Sequence, residues 1–108
     1  MLDLQITAEE VKQARDRDEK FLLLDVREPW EHETAKIEGS KLMPMGDIPS
    51  RAHQELDPDV RIIAYCHHGI RSLNVVNWLR QQGFENTQSM AGGIDRWSRV
   101  VDPNVPTY

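Results

Sequence analysis

The chain has one cysteine in 108 residues, so no disulfide can close within it and a disulfide-stapled scaffold is excluded. Long hydrophobic runs are missing as well. The longest, such as residues 21–24, fall far short of the roughly 20 apolar residues that cross a bilayer, so no membrane span is expected. Residues 1–7 lack a basic segment followed by an apolar stretch, which makes the cytoplasm the default compartment. An excess of positive charge is also absent: thirteen Lys and Arg against eighteen Asp and Glu leave a formal charge of -5. That balance excludes broad attraction to nucleic acid or to acidic membranes, and any anion site has to be local. Spaced metal ligands are lacking too. His67 and His68 are adjacent and share the chain with a single cysteine, which is not the ligand set of a structural zinc site. No metal and no other cofactor is expected.

What is present reads as one folded domain over residues 1–108. With 39% hydrophobic and 29% charged residues the composition is that of a globular protein, and the length is near the commonest size for a single core.

Thr7-Ala8-Glu9-Glu10 has the form of a capping box, so a first helix begins there and runs to about Asp18. Phe21-Leu22-Leu23-Leu24-Asp25-Val26 is a short continuous apolar run, as expected of a parallel strand covered on both faces. Residues 29–40 keep no sustained period and contain Pro29 and Gly39; they read as a loop with one helical turn. Lys41-Leu42-Met43 reads as a short strand. Ile48, Ala52 and Leu56 recur at fours, which predicts a helix with Pro49 tolerated in its first turn. Val60 to Tyr65 is a strand rich in β-formers, residues 71–82 form a helix stopped by Gly83, residues 87–90 a last strand, and residues 94–100 a last helix. A proline-punctuated tail follows from Asp102 to Tyr108. Strands alternating with helices predict an α/β domain with a mainly parallel sheet of about five strands and helices on both faces. Ligands of such sheets sit outside the carboxyl ends of the strands.

Cys66 stands at such an end. In Cys66-His67-His68-Gly69-Ile70-Arg71-Ser72 a thiol closes a strand, a short loop follows and a helix begins. Loop amides and a helix N-terminus then converge on the sulfur, and both attract a negatively charged nucleophile. A lone cysteine is commonly a small core residue, but a strand-end position before a helix favours the reactive reading. Arg71 sits where a cation is unfavourable unless an anion is near, so it is read as part of an anion site. The two histidines line the loop, and neither is assigned acid–base work. Asp25 and Arg27, at the end of the first strong strand, are read as a structural ion pair near the site rather than as catalytic groups.

Three stretches together resemble the rhodanese superfamily over nearly the whole chain: Asp25-Val26-Arg27-Glu28, the loop Cys66 to Ser72, and Gly92-Gly93-Ile94-Asp95-Arg96-Trp97. The resemblance implies that Cys66 carries sulfane sulfur as a persulfide and that His67, His68, Gly69, Ile70, Arg71 and Ser72 form the pocket around it. It also implies that Arg71 assists an anionic donor. The implied partners are a small-molecule sulfur donor such as thiosulfate and a thiol, cyanide or protein acceptor. Related phosphatases and arsenate reductases use a loop one residue longer. Here four residues separate Cys66 from Arg71, a cradle better fitted to sulfur than to a tetrahedral oxyanion. The chain departs from the family pattern at Lys36 and Glu38, where the family often has histidine and proline. The ending Val101-Asp102-Pro103-Asn104-Val105-Pro106 is similar to rhodanese modules fused to adenylylating enzymes, which implies a sulfur-delivery partner. The alternative reading is a rhodanese-fold binding or delivery module that acts on a partner without turnover.

Overall fold

Every strand among the described residues joins one sheet, and the pleat of its central strands decides which residues reach the reactive edge. The structure, a computed structural model, describes residues 2–108. Its strands are β1 (Gln5–Ile6), β2 (Leu22–Asp25), β3 (Lys41–Leu42), β4 (Ile62–Tyr65) and β5 (Thr87–Met90), and its helices are α1 (Ala8–Asp16), α2 (Pro29–Thr34), α3 (Ile48–Glu55), α4 (Ile70–Gln81) and α5 (Gly93–Val100). The five strands lie in the order β1-β5-β4-β2-β3, and all the pairings are parallel. β2 and β4 occupy the middle, registered from Leu22 opposite Ile62 to Asp25 opposite Tyr65. Residues 25 and 65 therefore end side by side at the carboxyl edge.

Side chains of a strand alternate between faces. On one face Leu24, Ile62, Ala64 and Cys66 pack with Ile48 and Ala52 of α3 and Val75, Val76 and Leu79 of α4. On the other Leu23, Ile63 and Tyr65 pack with Val11 of α1 and Ile94 and Trp97 of α5. Burial on both faces explains the unbroken apolar runs of β2 and β4. It also assigns Cys66 to the α4 side and Tyr65 to the opposite side.

The capping box at Thr7 forms: Glu10 N–H donates to Thr7 Oγ1 and Thr7 N–H to Glu10 Oε1, each at 3.0 Å. α1 ends at Asp16, sooner than expected, and the chain leaves it through Asp18 in a left-handed conformation. Two elements differ from the sequence reading. β1 is an edge strand of two residues, held by pairing with Ser89 and Met90 of β5. Residues 29–34 form a six-residue helix where a loop with one helical turn was expected; Pro29 stands in its first turn and Glu31 Oε1 accepts the Glu28 N–H at 3.1 Å. No helix among the described residues is long and apolar enough to cross a membrane.

Candidate functional site: a recessed thiol at the sheet edge

Cys66 follows the last residue of β4 and is 1% exposed. Its Sγ accepts the Gly69 N–H at 3.1 Å and the Ser72 N–H at 3.4 Å, and lies 3.5 Å from Ser72 Oγ. Ser72 Oγ in turn contacts Gly69 O at 3.2 Å and Ser89 Oγ at 2.7 Å, so its position is set from β5 as well as from the loop. The loop is bent over the sulfur by Gly69, whose φ of 105° lies in the region that only glycine enters at little cost.

The carbonyls of Cys66 and His67 are turned the other way. Ile94 N–H donates to Cys66 O at 2.9 Å and Asp95 N–H to His67 O at 3.1 Å, so the first amides of α5 absorb them. This close approach is what the Gly92-Gly93 pair permits. A Cβ on Gly93 would collide with the backbone of Cys66 and His67, and its φ is +61°. Carbonyls held by α5 leave the loop's N–H groups free for the sulfur, which yields an anion cradle made of backbone.

A second layer surrounds the cradle. Arg71 projects from the first turn of α4 and forms a bidentate pair with Glu31 of α2, with Nη1 to Oε1 at 2.7 Å and Nη2 to Oε2 at 2.9 Å. The Glu31 side chain is 5% exposed. Hydrogen bonds from Arg71, aided by the Tyr108 hydroxyl, hold its carboxyl down at about 2 despite burial. Glu31 is thus an anion at any physiological pH and raises the Arg71 guanidinium above its usual value in return.

Asp25 and Arg27 are both fully buried. Asp25 Oδ1 accepts Arg27 Nε at 2.8 Å and the Arg27 backbone N–H at 3.1 Å; Oδ2 accepts Arg27 Nη2 at 2.7 Å and the Tyr65 hydroxyl at 3.2 Å, and meets His32 Nδ1 at 2.8 Å. Arg27 also donates to Ala35 O, Glu31 O and the Tyr108 hydroxyl. The pair therefore ties β2, β4, α2 and the C-terminal tail together and makes no contact with Sγ. Tyr108 completes the layer: its hydroxyl accepts from Arg27 at 2.8 Å and donates to Glu31 at 2.7 Å, and its ring stacks on His67 at 3.9 Å. Burial pushes the Tyr108 hydroxyl up to about 12, so it stays a donor.

Each residue singled out from the sequence can now be placed. Cys66, Gly69 and Ser72 converge on one point, and Arg71 adjoins it but is committed to Glu31. Ile70 points to solvent with 73% exposure. His67 is partly covered, and burial, with His68 beside it, lowers its pKa. His68 is exposed and its Nδ1 lies 4.0 Å from Asp95. His67, His68 and Asp95 form a trio whose ligand atoms lie within 4.8 Å of one another, but Asp95 is already held by Arg99 at 3.0 Å. Sequence reasoning missed Glu31 and Tyr108. Pro29 at a helix start with Glu31 three residues after Glu28 was the available signal for the first; nothing local marks the second.

The rhodanese-like domain family matches residues 7–100. The chain belongs to the rhodanese family. Among relatives, it is 40% identical over 89 residues to the rhodanese-like/PpiC domain-containing protein 12 of Arabidopsis thaliana, covering 80% of this chain and 30% of that protein. It is 31% identical over 104 residues to the probable adenylyltransferase/sulfurtransferase MoeZ of Mycobacterium tuberculosis, covering 95% of this chain and 26% of MoeZ. The rhodanese chain thus spans about a third or less of these two relatives. The putative sulfurtransferase YtwF of Bacillus subtilis is matched almost end to end, at 34% identity over 99 residues, 92% of this chain and 94% of that one. In three dimensions the rhodanese-like domain of an Anabaena protein superposes with a TM-score of 0.87 at 27% identity, covering 99% of this chain and 81% of that one. A rhodanese-related protein of Thermoplasma volcanium superposes at 0.84 with 28% identity, covering 98% and 100%.

Proposed function

We propose that this chain is a sulfurtransferase that carries sulfane sulfur on Cys66. The Cys66 thiolate attacks the outer sulfur of thiosulfate or of another persulfide donor, the donor's S–S bond breaks, and sulfite or the donor thiolate leaves. Cys66–S–S⁻ remains. A thiol, cyanide or a protein acceptor then takes the terminal sulfur and the thiolate is restored. The observation that carries this reading is the pair of amides aimed at Sγ, from Gly69 in the loop and from Ser72 in the first turn of α4, with the Cys66 and His67 carbonyls turned away onto α5. His67, His68, Ile70 and Arg71 complete the wall of the pocket, and Asp25 and Arg27 support it from below. A lone working thiol needs a reducing compartment, and we assign the protein to the cytoplasm.

The names of MoeZ and of the maize and Arabidopsis MOCS3 proteins join adenylyltransferase to sulfurtransferase. That favours, as a second reading, a module that delivers sulfur to a partner protein. The first reading is tested by incubating reduced protein with thiosulfate or a persulfide, removing the donor, and recording the intact mass. A gain of one sulfur, about 32 mass units, is expected; it is absent in Cys66→Ala and reversed by dithiothreitol. No adduct in folded, reduced protein would overturn it.

A further inference from the structure

The pairing of Arg71 changes which donor this site can accept. Attack of a thiolate on thiosulfate gathers three negative charges in one transition state, one from Cys66 and two from the donor. A hydropersulfide, R–S–SH, ionises to R–S–S⁻ near neutral pH and brings one at most. A thiosulfonate, R–SO2–S⁻, brings one. Such charge needs a cation whose field is not already cancelled.

Neither guanidinium of the site offers that. Arg27 is fully buried on Asp25. Arg71 is matched one to one by Glu31, whose carboxylate is nearly inaccessible and takes a further hydrogen bond from Tyr108. Swinging Arg71 out to a donor would leave that buried carboxylate without its countercharge, held only by the Tyr108 hydroxyl and the Glu28 N–H. The His67 ring stacks on Tyr108 with His68 tilted against it, and Asp95 beside the loop is paired with Arg99. The side chains flanking the ion pair in sequence are apolar and exposed: Trp30 next to Glu31 at 61%, and Ile70 next to Arg71 at 73%.

We infer that Glu31 is a specificity-determining residue which, by neutralising Arg71, selects organic sulfane donors of low charge over the thiosulfate dianion. This rests on the sulfur-transfer reading and narrows its donor class. With the hydropersulfide, Cys66–S⁻ attacks the outer sulfur, the S–S bond breaks, R–S⁻ leaves, and Cys66–S–SH forms. With the thiosulfonate, the products are Cys66–S–S⁻ and R–SO2⁻.

The test compares rates of Cys66 persulfidation, read by intact mass, with thiosulfate and with benzenethiosulfonate in wild type and Glu31→Gln. Wild type is expected to load from benzenethiosulfonate at least about tenfold faster, a preference set by one unit of donor charge. Glu31→Gln is expected to raise the rate with thiosulfate about tenfold relative to that with benzenethiosulfonate, because Arg71 regains its field. A folded Glu31→Gln whose ratio stays within about twofold of wild type would overturn the inference, as would a wild type that prefers thiosulfate. Wild type alone supplies a second readout. Salt screens repulsion, so the thiosulfate rate is expected to rise or hold level as salt is increased. A steep fall would reveal an attracting free cation and sink the proposal. Loading by neither donor would instead remove the sulfur-transfer reading and this inference with it.

Discussion

Asp25→Asn is expected to cost about 3–5 kcal/mol of folding stability, the usual loss when one partner of a buried ion pair is removed. Both side chains of the pair are 0% exposed, so the Arg27 guanidinium has no water to turn to. The substituted amide would also set an NH2 group, or a single neutral oxygen, against Arg27 Nη2, the Tyr65 hydroxyl and His32, where a charged oxygen now accepts. A domain of this size is typically stable by about 5–15 kcal/mol, so the change removes a large fraction of the total. It corresponds to a fall in Tm of roughly 15–25 °C. Urea unfolding followed by tryptophan fluorescence measures it, with Trp97 in the core as a reporter. Arg27→Met is expected to cost a similar amount by stranding Asp25. In Asp25→Asn with Arg27→Met neither charge of this pair remains to be stranded, so the double variant is expected to be more stable than the sum of the singles predicts, by about 2 kcal/mol. Singles that each cost less than about 1 kcal/mol, or that add without coupling, would refute the reasoning.

Two further outcomes follow from the same geometry. Gly93→Ala forces a side chain into a left-handed backbone that costs about 1–2 kcal/mol, before any collision with the Cys66 and His67 backbone is counted. It is therefore expected to lose at least about 2 kcal/mol in urea unfolding and to slow sulfur loading on Cys66; wild-type stability and rate together would contradict the role given to α5. Glu31 has a folded-state pKa of about 2 against an ordinary 4.5. Its pKa is depressed, so its stabilisation is fully present above pH 4.5 and is lost as pH falls toward about 2, an effect of about 3 kcal/mol. Urea midpoints of wild type and Glu31→Gln are expected to converge as pH is lowered from 6 to 3; curves that stay parallel would show that Glu31 carries no such linkage.

Much of the fold was legible because its signals are local. The continuous apolar runs of β2 and β4 report burial on two faces, the Thr7 capping box reports a helix start, and the 3.6-residue spacing along α4 reports the helix behind the loop. β1 escaped because it has only two residues, the first of them exposed, and exists by pairing with β5. α2 escaped for a different reason. Its buried residue is a carboxylate, Glu31, and a six-residue helix that buries a charge shows no apolar period.

The sequence alone determined that a thiol closes a parallel strand, that four residues and a helix start follow it, and that two consecutive glycines stand ahead of the last helix. These are properties of neighbouring residues, and short-range sterics and hydrogen bonding carry them. Tertiary structure decided the partners. Arg71, read from the sequence as part of an anion site, is paired with Glu31, 40 positions away; Tyr108 closes on Arg27 across 81 positions. Charge complementarity between elements so distant leaves no local pattern, and it becomes visible only once the sheet brings β2 and β4 side by side and the tail folds back over their ends.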